Sequence, residues 1–333
     1  MVTRVQPLHV LTYSVKRVYP RHTNDYGVLH GGVLAEWMQV VGHIAAERVV
    51  RGGAVLGSLD HLFYLNPVPV GSTVHIASIP VYTTKHTVDI ATIVWREYRE
   101  DVKPVTFSIS TFVAVEDGLR PREHRVVVEP RNQLEEELYL LASRWRKRLE
   151  QLLRVRKEAR HDISPPTYSH VITSYYYVAA ENTYLEGIAS ASWMLRLLDE
   201  VAGITAMKYV RGLVVTGSID ATVFYAPAYV GETLTVHAYP TYTTRHTIEV
   251  TLKVVAEKPG LRPARLVTIT RYTMVSIDKS LRPKPIEAPQ PPISEEELKA
   301  ARVRAEERKR ALAEAREVAV KLVEALTHFT LHI

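Results

Sequence analysis

The chain has 333 residues, no cysteine and a formal net charge of +6. That length allows two or three domains, each with a real core, and the lack of cysteine excludes disulfides, thiolate metal sites and cysteine nucleophiles. No apolar run reaches the roughly 18 residues of a membrane helix, and Met1-Val2-Thr3-Arg4-Val5-Gln6 holds no apolar signal-peptide core, so a cytoplasmic protein is expected.

In chain order, the first feature is the turn-rich segment Asn24-Asp25-Tyr26-Gly27. Val33, Leu34, Trp37, Met38, Val41, Ile44 and Ala45 then recur at helical spacing and predict a helix over about 33–50. Arg51-Gly52 marks its end, with the glycine as candidate C-cap. Strands follow, broken by turns at Pro67 and Gly71. A charged helix is expected over 134–160. Its part from Arg144 to Arg160 holds eight Lys or Arg against two Glu, a surplus equal to that of the whole chain. A solvated helix face is the plain reading of that run; attraction to an anionic partner is the sharper one.

The order then repeats. Shifted by 160, the chain matches itself without a gap from Asn24 to Glu97, with 23 of 74 positions identical, too many and too well aligned for chance. Gly57-Ser58-Leu59-Asp60 meets Gly217-Ser218-Ile219-Asp220, and Thr83-Thr84-Lys85-His86-Thr87 meets Thr243-Thr244-Arg245-His246-Thr247. After a two-residue slip, Leu119-Arg120-Pro121 meets Leu281-Arg282-Pro283. Two long copies mean tandem domains rather than a solenoid. The second helix, about 193–210, is apolar almost all round and should be deeply buried. Ile248, Val250, Leu252 and Val254 alternate with polar residues, as in a half-buried strand. Pro283 to Pro292 reads as a linker, and Ser294 with Glu297 as a capping box that opens a last helix. One buried helix with an antiparallel sheet curled around it is the economical α+β arrangement for each copy. The boundaries expected are 1–130 for the first domain, 131–162 for a helical linker, 163–285 for the second domain and 286–333 for the C-terminal helix.

Asn24-x-x-Gly27-x-x-x-Gly31-Gly32 ahead of Trp37-Met38, Asp199-Glu200 on the second helix, and in both copies Ser-x-Asp, an aromatic (Tyr64, Phe224), Pro and Val-Gly form an ordered set. It resembles the tandem hotdog-fold acyl-CoA thioesterases, including the brain-type acyl-CoA hydrolases, over most of residues 10–325. The resemblance implies two tandem hotdog domains that pair as an intrachain pseudo-dimer, an acyl-CoA substrate, no cofactor, and a homo-oligomer of three double-hotdog chains. It also implies a catalytic Asn before one helix and a catalytic Asp on the other. Carried across, the Asn position is Asn24 in copy one and Tyr184 in copy two, and the Asp position is Gln39 and Asp199. A live site would then use Asn24 and Asp199, leaving Gln39 and Tyr184 as a degenerate second set. Gly31 and Gly32, replaced by Ala191 and Ser192 in copy two, would supply the oxyanion donors at a helix N-terminus. Lys85, His86, Thr87, Arg245, His246 and Thr247 look like the family's contacts to CoA.

The chemistry agrees. A thioester is already activated, so its hydrolysis needs a water made nucleophilic and a place for negative charge. A carboxylate serves as general base or as direct nucleophile. Asn24 alone would read as a turn residue and Asp199 as part of a charged helix face; their exchange between the copies argues for more. Asp60 and Asp220, present in both, suggest a structural role such as capping a turn. The 14 histidines show no metal-binding spacing, and no serine-nucleophile elbow or P-loop occurs. The alternatives are a hydroxyacyl-thioester dehydratase, for which His30 and His43 flank the right region, and a non-catalytic acyl-CoA-binding or sensing protein. No helix-turn-helix accompanies the repeat, so no nucleic-acid partner is expected.

Overall fold

The computed structural model describes residues 2–156 and 162–330, so Lys157, Glu158 and Arg160 of the basic run lie outside the described residues. The chain divides into two compact units, Met1–Leu152 with Leu312–Ile333, and Leu153–Ala311.

In unit 1 a central helix, α1 (Gly31–Val50), lies against strands β1 (Thr12–Arg17), β2 (Ala54–Tyr64), β3 (Thr73–Thr83), β4 (Thr87–Tyr98) and β5 (Asp101–Glu116). The strands lie in the order β1-β3-β4-β5-β2, each neighbour antiparallel. Strand alternation sorts the two faces. Val88, Ile90, Phe112 and Ala114 pack on Ala45, Ala46 and Val49 of α1. Asp89 points the other way and takes Arg146 of a second helix, α2 (Gln133–Arg156), at 2.9 Å. Trp145 of α2 is fully buried, edge-on to Phe107 at 5.9 Å, and donates to Glu314 at 2.8 Å.

Unit 2 repeats the plan with α3 (Ala191–Val210) and strands β6 (Ile172–Tyr177), β7 (Leu213–Ile219), β8 (Thr233–Thr243), β9 (Thr247–Lys258) and β10 (Arg262–Ile277), in the order β7-β10-β9-β8-β6. The last helix, α4, spans Glu295–Thr330. β9 is not half-buried: Glu249, Thr251 and Lys253 on its second face are as enclosed as Val250 and Leu252. Charge pairing accounts for Glu249, since Arg304 and Arg308 of α4 reach it at 2.7 and 2.6 Å. Burial alone would raise the Glu249 carboxyl, and the two guanidiniums hold it below its usual value instead.

Several local expectations change. The left-handed residue that closes each central helix is Arg51 (φ 53°) or Arg211 (φ 52°), not the glycine. Gly52 serves space: a β-carbon there would sit 2.5 Å from Arg122 Nη2, which donates to the Val50 carbonyl at 2.7 Å. Copy two has Lys284 at the place of Arg122. The capping box of α4 is half made: Glu297 N–H donates to Ser294 Oγ at 3.1 Å, while the Glu297 carboxylate turns to Arg304 at 2.8 Å. Asp220 is an ion-pair partner, receiving Arg308 Nε and Nη2 at 2.7 Å each. The 283–292 segment forms no regular element but is pinned, with Tyr209 donating to the Pro289 carbonyl at 3.1 Å.

Candidate active site

Asp199 lies mid-way along α3 with only 2% of its surface exposed. Thr216 Oγ1, on β7, donates to its Oδ1 at 2.7 Å. Thr216 is aimed by a bulge: the register between β7 and β10 slips between Thr216 and Ser218. Only glycine fits in that slip, since a β-carbon on Gly217 would lie 2.8 Å from Val275 Cγ2. On β10, Tyr272 is fully buried and donates to the Leu195 carbonyl of α3 at 3.0 Å. Burial, with the nearby Asp199 charge, pushes its phenol well above the usual value. Unit 2 thus builds an enclosed carboxylate held by a hydroxyl, a group able to take a proton from water.

The matching place in unit 1 is neutral. Gln39 is 4% exposed and exchanges hydrogen bonds with Ser110 at 3.0 and 3.3 Å. Leu56 stands where copy two has Thr216. Sequence reading missed Thr216, although the Leu56/Thr216 difference accompanies the Gln39/Asp199 difference seventeen positions earlier.

Asn24 does form a turn. Its Oδ1 accepts from Tyr26 N at 3.1 Å and Val28 N at 3.4 Å, and Gly27 beyond it has φ 72°. The turn takes the oxygen and leaves the Nδ2 hydrogens without a partner among the described residues. Asn24 is therefore presented as a donor. At the start of α1, Gly32 N–H is committed to His30 Nδ1 at 3.1 Å, so Gly32 is not the free oxyanion donor expected of it. Gly31, the first helical residue, has an amide with no intrahelical acceptor. Tyr64 Oη donates to the Gly31 carbonyl at 2.7 Å and steadies this turn. In copy two Ser190 makes no cap bond and its hydroxyl pairs with Ser192 at 2.7 Å. Tyr184 is 37% exposed, in a short ladder opposite Ile188.

His30 is thus a cap. His43 Nε2 is tied to the Ala54 carbonyl at 2.6 Å, and burial pushes its imidazole below the usual value. Neither ring is presented as the base of a dehydratase. The basic turns join β3 to β4 and β8 to β9. Each is locked by its own threonines, Thr84 to Thr87 at 2.8 Å and Thr244 to Thr247 at 2.7 Å. Lys85 lies 3.6 Å from Glu123, while Arg245 is exposed with no acidic partner among the described residues. His86 and His246 donate backbone N–H groups to Thr84 and Thr244, both at 3.4 Å. A cavity of about 520 Å³ beside Lys85 is lined by Thr83, Thr84, Glu123, Arg125 and Tyr139, and neither Asn24 nor Gly31 lines it. Among the described residues no group of three or more His, Asp or Glu forms a metal-like cluster.

The sequence profile of the Thioesterase superfamily matches this chain twice, over residues 26–103 and 186–262. An uncharacterised acyl-CoA thioester hydrolase of Zymomonas mobilis is 31% identical over 123 residues, covering 35% of this chain and 76% of that protein. The chain belongs to the thioesterase superfamily. A cytosolic acyl coenzyme A thioester hydrolase of Mus musculus is 25% identical over 289 residues, 80% of this thioesterase-family chain and 74% of its relative, so the likeness runs through both copies. A putative oleoyl thioesterase of Lactobacillus plantarum shares the fold, with a TM-score of 0.55 at 11% identity over 80% of this chain and 97% of that one.

Proposed function

We infer that the protein hydrolyses acyl-CoA thioesters to the free acid and CoA, with Asp199 as its base. The observation that carries this reading is the buried Asp199 carboxylate held by Thr216, set against a neutral Gln39 with Leu56 at the same places in copy one. Water attacks the thioester carbonyl and passes a proton to Asp199. The Gly31 amide and Asn24 Nδ2 donate to the oxyanion, each donor of this kind lowering the barrier by about 3 kcal/mol. The carbon–sulfur bond then breaks and Asp199 returns the proton to the departing CoA sulfur. CoA is part of the substrate and the reaction uses no separate cofactor. Asn24 and Asp199 are assigned to catalysis because each is exchanged in the other copy, for Tyr184 and Gln39. The exposed Arg245, with Lys85 and the threonines beside them, suits the phosphates of CoA.

The cytoplasm is the proposed location, by likeness to the cytosolic hydrolase of Mus musculus; no helix among the described residues is long and apolar enough to cross a membrane. Three chains per assembly is the proposed oligomer.

The test is CoA release from a panel of acyl-CoAs. Asp199→Ala should lose at least about a hundredfold in kcat, while Gln39→Ala keeps most of it. Asn24→Ala with Asp199→Ala should fall little below Asp199→Ala alone, because groups that act as a unit are not additive. A fully active Asp199→Ala chain would overturn the assignment, and a wild type that binds acyl-CoA without releasing CoA would make the protein a sensor.

A further inference from the structure

We propose that the interior of unit 1 beneath α1 binds an oxygen carried on the acyl chain, so that hydroxyacyl- and oxoacyl-CoA are preferred to plain acyl-CoA; this rests on the thioesterase reading above.

Along β5, Thr106, Ser108 and Ser110 alternate onto one face, and Ser110 meets Gln39 of α1, so the row looks toward that helix. Thr106 and Ser108 are fully buried, and neither hydroxyl has a hydrogen-bond partner among the described residues. Buried hydroxyls are paired in the great majority of cases, because an unpaired one forfeits its hydration without return.

The second copy supplies the contrast. Thr268, Thr270 and Tyr272 occupy the same three places, and every hydroxyl there is answered: by the Val223 carbonyl at 2.8 Å, by Thr222 at 2.6 Å and by the Leu195 carbonyl at 3.0 Å. The polarity of unit 1 also continues across its sheet. Ser108 lies opposite Thr92, Thr92 opposite Ser78 and Ser78 opposite Thr12, where copy two has Thr270, Leu252, Ala238 and Ile172. Unit 1 also carries less bulk there: Ala35 replaces Leu195 on the helix and Ser110 replaces Tyr272 on the strand. Less side chain and two unanswered hydroxyls together describe a place kept for a polar group.

Its position suits a substrate oxygen close to the thioester. Thr106 pairs across the ladder with Tyr64, whose hydroxyl bonds the Gly31 carbonyl at 2.7 Å. The row therefore runs beneath the stretch of α1 between Gly31 and Gln39, in strand steps of about 3.3 Å. A carbonyl held at the Gly31 amide would bring an oxygen on the next carbons toward Thr106 and Ser108. A hydroxyl both donates and accepts, so a ligand hydroxyl and a ligand ketone are both served.

The experiment compares kcat/KM for hexanoyl-, 3-hydroxyhexanoyl- and 3-oxohexanoyl-CoA in the wild type, Ser108→Ala, Thr106→Val and the hydroxyl-keeping Thr106→Ser. The wild type should favour at least one oxygenated ester by about tenfold or more. Ser108→Ala or Thr106→Val should shrink that ratio, and Thr106→Ser should keep it. The relative response of the hydroxy and oxo esters identifies which oxygen is taken. A wild-type ratio near one, or a ratio that both deletions leave intact in folded protein, overturns the proposal. Calorimetric binding of the same esters to Asp199→Ala separates the two readings: an oxygen preference in binding without any wild-type turnover would sink the hydrolase and keep the site, whereas turnover without such a preference sinks the site alone.

Discussion

Asp199 and Gln39 stand at the same place on their helices, one a carboxyl and the other an amide, and the Thr216 hydroxyl donates to the carboxyl. Thr216→Val keeps the shape and removes the donor to Oδ1. Its expected effect is a fall in kcat of roughly tenfold, with KM and melting temperature little changed, since a neighbour that orients a reacting group acts mainly on the chemical step. Steady-state kinetics beside a thermal melt would check it; an unchanged kcat would mean that Asp199 is held by other means. How far such residues are legible in sequence depends on what places them. Asp199 is legible because its helix is periodic. Thr216 is not, because a bulge at Gly217 decides which way the strand faces beyond it. Gly32 misleads because its amide is spent on His30, a side chain outside the usual set of helix caps.

The flanking helices show the same split between what pattern gives and what geometry adds. The central helices begin at Gly31 and Ala191, two residues before the first apolar position of each pattern. The charged helices are anchored differently in the two copies, and no pattern in Ser-x-Asp reveals it. Asp220 has its guanidinium from Arg308, while its counterpart Asp60 has Arg148 only at longer range. Burial raises the Asp60 carboxyl to about 8, with Arg148 opposing and Asp89 and Glu314 adding to the rise. The folded chain therefore holds a proton on Asp60 that the unfolded chain, near the ordinary 3.8, releases. Stability from this group is present at low pH and is lost as the pH climbs from about 4 to about 8. Asp60→Asn should leave stability little changed at pH 4 and raise it by at least ~1 kcal/mol at pH 8. Denaturant titrations at both pH values would measure this, and equal midpoints for the two chains at pH 8 would count against a protonated Asp60.

At the scale of the molecule, duplication was the most legible feature, because the repeat is written in the sequence itself. The division of labour was legible only in part. Asn24, Asp199 and the glycines mark which copy differs, but the hydroxyl row beneath α1 emerges only when register sets Thr12, Ser78, Thr92 and Ser108 side by side. Light scattering of the purified chain should give about three times 37.7 kDa if three chains assemble, and a mass of one chain would reject that proposal.

Arg122 and Lys284 draw the two copies apart in time. The guanidinium of Arg122 crosses the end of α1, bonding the Val50 carbonyl at 2.7 Å and the Val115 carbonyl at 3.2 Å. Lys284 instead lines an open cavity of about 460 Å³ at the end of α3, beside Lys208 and Arg211. A helix end without such a clasp frays sooner. Amide deuterium uptake over 207–212 should outpace that over 47–52, and Lys284→Arg should narrow the gap. The same duplicated fold would then carry a fast-opening end and a slow one, set by a single side chain.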